Sequence, residues 1–183
     1  MEKIIIGVAG QIASGKDTLS NYAIEKYKAK QLKFSKVLRD ILQRIYKENT
    51  RENMQTLSTL LRQYFGDDLL ANVIYNDIKN TSEDIIIVDG VRRLPDIEML
   101  KTLGFKLLFI EATPEVRYER LIQRSENIDD RNKTFEEFQK ESMAETEVRI
   151  ADLKNVSDYV IDNNGTLDEL YRKIDEIITE LKK

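Results

Sequence analysis

Cysteine and histidine are both absent from this 183-residue sequence. Without cysteine there are no disulfides and no thiolate metal sites. Without histidine, zinc chemistry, imidazole acid–base catalysis and Ser-His-Asp triads are excluded as well. Proline is scarce at two residues and glycine numbers seven, so no Pro/Gly-rich linker divides the chain. Long apolar runs are missing too. The N-terminal run from Ile4 to Ala9 is too short for a signal peptide or a membrane span. The net charge of −4 argues against a nucleic-acid binder, whose binding face would be basic. The expectation is a cytoplasmic protein with neither a nucleic-acid nor a membrane partner. Oligomeric state leaves no signature in the sequence.

What remains for catalysis is lysine, arginine, carboxylates, hydroxyls, backbone amides and a borrowed metal. Phosphoryl transfer can be run with those parts. With 41% apolar and 34% charged residues, a chain of this length fits one ordinary domain with a real core.

Short apolar runs alternate with helical patterns. Lys3 to Ala9 is β-branched and reads as a strand buried on both faces. Helical spacing follows from Lys16 to Lys28, then a weak strand over Gln31 to Phe34 and a helix from Ser35 to Tyr46. Two further helices are expected at about Arg51 to Tyr64 and Asp67 to Lys79, separated by Gly66 with Asp67 as N-cap. Ile85 to Val88 is the clearest strand and ends at Asp89-Gly90. A helix from Pro95 to Leu103, a strand from Phe105 to Glu111 and a helix from Pro114 to Arg124 come next. After a polar stretch over Ser125 to Lys133, a helix is expected from Thr134 to about Leu153. A strand over Asp158 to Asp162, a turn and a closing helix from Thr166 to Leu181 complete the chain. This alternation predicts an α/β fold with a mainly parallel sheet covered on both sides.

Between the first strand and the first helix stands Gly10-Gln-Ile-Ala-Ser-Gly15-Lys16. That is the G-x-x-x-x-G-K spacing of a phosphate-binding loop in the strand–loop–helix context it needs. Its glycines let successive amide N–H groups face one phosphate, and the following helix start adds more. Lys16 places a point charge on the β- and γ-phosphates. The next residue is Asp17, where a hydroxyl commonly ligates Mg²⁺, and a hydroxyl returns at Thr18. Asp17 either contributes an anionic oxygen to the metal or its water, or favours the helix N-terminus electrostatically. On this basis Gly10, Ala13, Ser14, Gly15, Lys16, Asp17 and Thr18 form an ATP side.

The order Gly-Lys-x-Thr resembles the Gly-Lys-Gly-Thr of adenylate kinase and its relatives. Further segments resemble the nucleoside monophosphate kinase family in family order. They are Phe34-Ser35-Lys36-Val37-Leu38-Arg39, Val88-Asp89-Gly90-Val91-Arg92-Arg93, Arg120-Leu-Ile-Gln-Arg124 and Asn163-Asn164-Gly165-Thr166. The second half also resembles uncharacterised archaeal and bacterial adenylate-kinase-related proteins, with dephospho-CoA kinase a more distant cousin. The resemblance implies a three-layer P-loop NTPase fold with a five-stranded sheet in the order 2-3-1-4-5. It implies one domain over 1–183, with an acceptor-binding helical insertion at about 35–80 and a short lid at about 125–133.

It also implies roles. Ser35, Arg39, Arg92 and Arg93 would hold the acceptor phosphate. Asp89, with Asp17 and Thr18, would serve the Mg²⁺. Arg120 would stack on the ATP base, with Asn164 and Gly165 passing by the adenine. Lys16, Arg124 and Arg131 would neutralise the transferring phosphoryl. Arg117, Arg120 and Arg124 share a helix face at spacings of three and four, which suits several arginines reaching one anion.

Departures from the family are visible. Ile97 stands where adenylate kinases carry a glutamine that reads AMP. Asn127 replaces a lid arginine, and Phe138 occupies the position of another. The expected function is transfer of the γ-phosphoryl of Mg²⁺-ATP to a small phosphorylated acceptor, a (deoxy)nucleoside monophosphate first. The alternatives are a dephospho-CoA kinase-like activity or a nucleotide-binding module with weak ATPase activity. A regulatory GTPase would need Asn-Lys-x-Asp, and Asn132-Lys133-Thr134-Phe135 lacks the aspartate.

Overall fold

Five short strands occupy the centre of the molecule: β1 (Ile4–Ala9), β2 (Lys30–Lys33), β3 (Ile85–Asp89), β4 (Lys106–Glu111) and β5 (Tyr159–Asp162). They lie in the order β2-β3-β1-β4-β5, and all four pairings are parallel. The computed structural model describes residues 3–124, 133–143 and 150–183, with the side chains of Arg124 and Glu141 outside that description. The proposed lid at about 125–133 therefore lies almost wholly outside the described residues.

Parallel strands need crossover connections, and these cover both faces. Eight helices are described: α1 (Lys16–Tyr27), α2 (Phe34–Arg44), α3 (Arg51–Phe65), α4 (Leu69–Asn80), α5 (Leu94–Lys101), α6 (Pro114–Arg124), α7 (Phe135–Ser142) and α8 (Leu167–Leu181). Because side chains alternate along a strand, each strand feeds two cores. On one face Ile5, Ile86, Val88, Leu107 and Phe109 meet Leu38 of α2, Leu70 and Ile74 of α4 and Leu100 of α5. On the other, Ile6, Val8, Ile87, Leu108 and Ile161 meet Leu19 and Ala23 of α1 and Ile174 and Ile178 of α8. The near-continuous apolar run in β1 and β3 is the sequence trace of this two-sided burial. No helix among the described residues is long and apolar enough to cross a membrane.

Two sequence expectations are corrected here. The long helix from Thr134 is not continuous: α7 ends at Ser142 and Met143 lies in a turn, while Ile150 to Asp152 are helical again and lead into a 3-10 turn, Leu153–Val156. Phe138 of α7 is buried with Ala13 and Leu121, whereas Leu153 is buried in the sheet core facing α4 and α5. Asp67 does not cap α4 either. That helix starts at Leu69 with Asp68 at the cap position and no side-chain cap bond, while the Asp67 carboxylate is bonded to Arg93. A guanidinium outcompetes a backbone N–H for a carboxylate that both can reach.

The last helix is tied down by two devices. Thr166 and Glu169 form a reciprocal capping box at its start. Asp175 then accepts from Lys26 Nζ at 2.7 Å, Tyr27 Oη at 2.6 Å and Tyr22 Oη at 3.0 Å, and Tyr22 stacks on Tyr171 with centroids 4.0 Å apart. Burial by itself pushes the Asp175 carboxyl up. The donors from Lys26, Tyr27 and Tyr22 outweigh burial and hold it below the usual carboxylate range. A depressed carboxyl stabilises the fold above its unfolded titration point, and that contribution is lost as pH falls through the folded value. Acid unfolding followed by circular dichroism is expected to show a steeper loss of stability below about pH 4 in the native chain than in Asp175→Asn. Parallel curves would remove this carboxylate from the acid response.

Candidate active site

The loop between β1 and α1 is shaped by two glycines and a neighbour that sets them. Gly10 has φ +151° and Gly15 φ +110°, with Ala13 also left-handed at +58°. A Cβ on Gly10 would lie 2.3 Å from the Ile110 carbonyl oxygen, and one on Gly15 would lie 2.3 Å from Asn163 Nδ2. The loop is thus pressed against the ends of β4 and β5. Asn163, 5% exposed, donates from Nδ2 to the Ser14 carbonyl at 2.8 Å, and its own N–H donates to the Glu111 carbonyl at 2.8 Å. Asn163 lies within the quoted turn, but nothing in its spacing marked it as the clamp on the loop.

Lys16 curls back over this loop. Its Nζ donates to the carbonyls of Gly10 at 2.7 Å and Gln11 at 2.9 Å. The ammonium therefore sits at the mouth of the cradle with the α1 N-terminus behind it, a local concentration of positive potential suited to a polyphosphate. Ser14 Oγ is fully buried in the loop with no hydrogen-bond partner among the described residues. Such an atom normally has a partner, so Ser14 Oγ is an exception held inside the loop.

Parallel register brings the next group alongside. Val8 of β1 is opposite Asp89, and Lys33 of β2 is opposite Asp89 from the other side. Asp89 is 8% exposed, with Lys33 Nζ at 3.4 Å and Gln31 Nε2 at 3.4 Å from Oδ2. Both contacts are long, so the carboxylate is restrained but not consumed. Lys33 was not singled out in the sequence. Its signal was its place at the last position of an edge strand, directly before a helix. Thr18 is half-buried on the first turn of α1, and Asp17 there is exposed. These hard oxygen donors suit Mg²⁺. No three carboxylates gather into a metal cage among the described residues; a metal shared with phosphate oxygens needs only one or two.

The arginine helix divides. Arg117 is 3% exposed, donates to the Ile12 carbonyl at 3.4 Å and lies over the Phe138 ring at 5.3 Å. It braces the loop from inside, bonded to the loop's own carbonyl, which departs from the expectation of three arginines reaching one anion. Arg120 is half-buried, with Nη1 unpartnered among the described residues, and burial lowers its pKa. Arg124 is placed at the end of α6 by its backbone alone, and Arg131 lies outside the described residues.

On the acceptor side, Ser35 and Arg39 lie on the first turns of α2, half-buried and exposed respectively. Arg92 is exposed, and Arg93 is bonded to Asp67 at 3.1 Å. Ile97 is 2% exposed and belongs to the core, so that position holds the fold and faces no ligand. Phe138 is fully buried, which likewise removes its position from the solvent-facing charges. Asn164 accepts from the Thr113 N–H at 2.8 Å and donates from Nδ2 to Asp162 at 2.7 Å. Together with Gly165 it forms the turn that Asn163 fixes beside the loop.

A family model described as AAA domain matches residues 9–139. A UPF0200 protein of Staphylothermus marinus is 30% identical over 182 residues, covering 99% of this chain and 94% of its own. Among solved structures, a shikimate kinase from Bacteroides thetaiotaomicron superposes with a TM-score of 0.64 at 15% identity, covering 96% of this chain and 98% of its own. A gluconokinase from Sinorhizobium meliloti gives 0.59 at 16% identity, covering 98% and 94%. The fold is that of small P-loop kinases.

Proposed function

The chain belongs to the AAA domain family and to the UPF0200 proteins, and from that premise we propose that it is an ATP-dependent phosphotransferase acting on a small phosphorylated acceptor. A (deoxy)nucleoside monophosphate is the first candidate and dephospho-CoA the second. The observation that carries this is the pairing of Val8 with Asp89. It sets an acidic residue one strand away from the start of the Lys16 loop, with Lys33 paired to it from β2 and Arg92 and Arg93 next along the chain.

In this reading the loop amides and Lys16 hold the β- and γ-phosphates, and Arg120 takes the base. Asp89, Thr18 and Asp17 would hold Mg²⁺, which when bound neutralises charge between the β- and γ-phosphates. Ser35, Arg39, Arg92 and Arg93 orient the acceptor so that its oxygen lies in line with the γ-phosphorus. Lys16, with Arg124 and Arg131, offsets the charge that spreads over the moving group. Positioning and charge neutralisation supply most of the acceleration in such transfers. The phosphate of a nucleoside monophosphate is already ionised near neutral pH, so for that acceptor the chain's lack of histidine costs nothing. Residues of about 125–133 would exclude water from the transfer.

A second reading is favoured by one feature. Asp89 is only loosely held by Lys33 and Gln31 at 3.4 Å, which leaves it able to accept a proton from a hydroxyl acceptor, the kind of acceptor that the names shikimate kinase and gluconokinase denote. A panel of nucleoside monophosphates, dephospho-CoA, shikimate and gluconate, scored by acceptor-dependent ADP release, separates the readings. ADP release that no acceptor stimulates would leave a nucleotide-binding module with weak ATPase activity. Arg93→Ala is expected to raise the acceptor KM by roughly ten- to hundredfold, the loss of one charge-assisted contact, with the KM for ATP nearly unchanged. Equal weakening of both would place Arg93 in a different pocket.

A further inference from the structure

Two arginines from different parts of the chain close on one residue in the turn between α3 and α4. Arg62, on the last turn of α3, donates from Nη1 to the main-chain carbonyl of Asp67. Arg93, immediately before α5, donates to Asp67 Oδ1 at 3.1 Å. Arg62 is mostly buried, and beneath it lies Asp96, 2% exposed, with Oδ1 at 3.5 Å. Burial outweighs the attraction of Arg62 and Arg93 and holds the Asp96 carboxyl above the usual carboxylate range. Asp96, buried beneath Arg62, restrains where that guanidinium stands.

The Asp67 side chain is different. It is 67% exposed, on a turn introduced by Gly66 at φ +104°. Exposed ion pairs are among the weakest ionic contacts, so this carboxylate can be displaced readily. The guanidinium fork matches planar two-oxygen anions and phosphate equally well, and a phosphate dianion brings twice the charge of a carboxylate.

We propose that Arg62 and Arg93 form a paired seat for the acceptor's phosphate, and that Asp67 is its built-in competitor, occupying the seat until a dianion displaces it. This rests on the reading of the chain as a kinase of phosphorylated acceptors. Arg62 then becomes an acceptor-binding residue held in position by Asp96. Because Arg62 holds the Asp67 main chain, a phosphate that draws Arg62 onto itself would also free the α3–α4 turn, coupling occupancy of the seat to the position of that turn. Selection follows as well: a monoanion exchanges one charge for one, whereas a phosphate monoester gains.

The test uses the full ¹⁵N-labelled chain titrated with inorganic phosphate at constant ionic strength, reading the arginine Nε–Hε signals. Arg62 and Arg93 are expected to shift together with one Kd. Asp67→Asn should tighten that Kd by about two- to fivefold, and Arg62→Ala should weaken it by roughly tenfold or more. Since Arg62→Ala leaves Asp96 buried without its partner, Arg62→Lys is the companion variant. It keeps the charge, lacks the fork, and should bind phosphate with intermediate affinity. An unchanged Kd in Asp67→Asn, or a native Kd in Arg62→Lys, overturns the paired seat. If Arg93→Ala still weakens phosphate binding in that case, the kinase reading stands without it. If Arg93 responds to phosphate in no variant, the acceptor site itself is wrong.

Discussion

Replacing Lys16 by alanine is expected to lower acceptor-dependent ADP release by at least about 10²–10³-fold, the usual loss when one preorganised group is removed from developing transition-state charge. The ammonium stands at the mouth of the loop, bonded to the carbonyls of Gly10 and Gln11. Phosphate oxygens are stronger acceptors than these carbonyls, so the same group can transfer from loop to ligand with little reorganisation. Stability should change far less. The two carbonyls lie at a loop that water reaches, so the loss is about 1–2 kcal/mol, or roughly 2–8 °C in a chain of this size. Coupled-enzyme kinetics with a thermal melt of the same sample separates the two effects. Native turnover in Lys16→Ala would remove the loop from the chemistry altogether.

Gly10→Ala is expected to damage the protein more than any other single methyl added in the loop. The new Cβ would sit 2.3 Å from the Ile110 carbonyl oxygen, 2.7 Å from Ser14 Oγ and 3.0 Å from Ile110 Cγ2. The first contact is with β4 backbone, which cannot move without breaking its pairing with β1 and β5. Backbone strain at a positive φ and forced overpacking each cost about 1–3 kcal/mol, so roughly 2–6 kcal/mol is expected, with loss of nucleotide binding. Gly104→Ala provides the contrast. Gly104 also has positive φ, +76°, but its Cβ would meet nothing within 4 Å, so only the strain term applies. Equal denaturant midpoints for the two variants would show that the Ile110 contact is unimportant and that φ alone decides.

The strands and the phosphate loop were legible because both are written in local sequence. β1 and β3 are apolar at every turn of the pleat, and the loop's glycines fall where positive φ is needed. The sheet order was not legible from periodicity. It came with the family resemblance, and the observed pairings agree with it. Side-chain roles failed where two elements compete for one group. Asp67 has the composition of a helix cap, but Arg93, twenty-six residues later in sequence, takes its carboxylate. Arg117 reads as one of three arginines reaching one anion, yet α7 brings Phe138 against it and the loop offers it the Ile12 carbonyl. Lys33 and Asn163 were passed over for the same reason: their importance depends on which strand lies beside them. Spacing within a helix says which residues share a face, but not what the rest of the chain brings to that face.

The bond from Asn163 to the Ser14 carbonyl spans 149 positions, and it carries a consequence for how the protein is made. The loop is synthesised 149 residues before the side chain that clamps it. At roughly 5–20 residues per second, that interval lasts on the order of ten to thirty seconds. During it β1 has neither its β4 neighbour's full support nor the clamp, and the nascent chain carries a phosphate loop without its final shape. A nucleotide bound at this loop would therefore favour chains in which β5 and Asn163 are already in place.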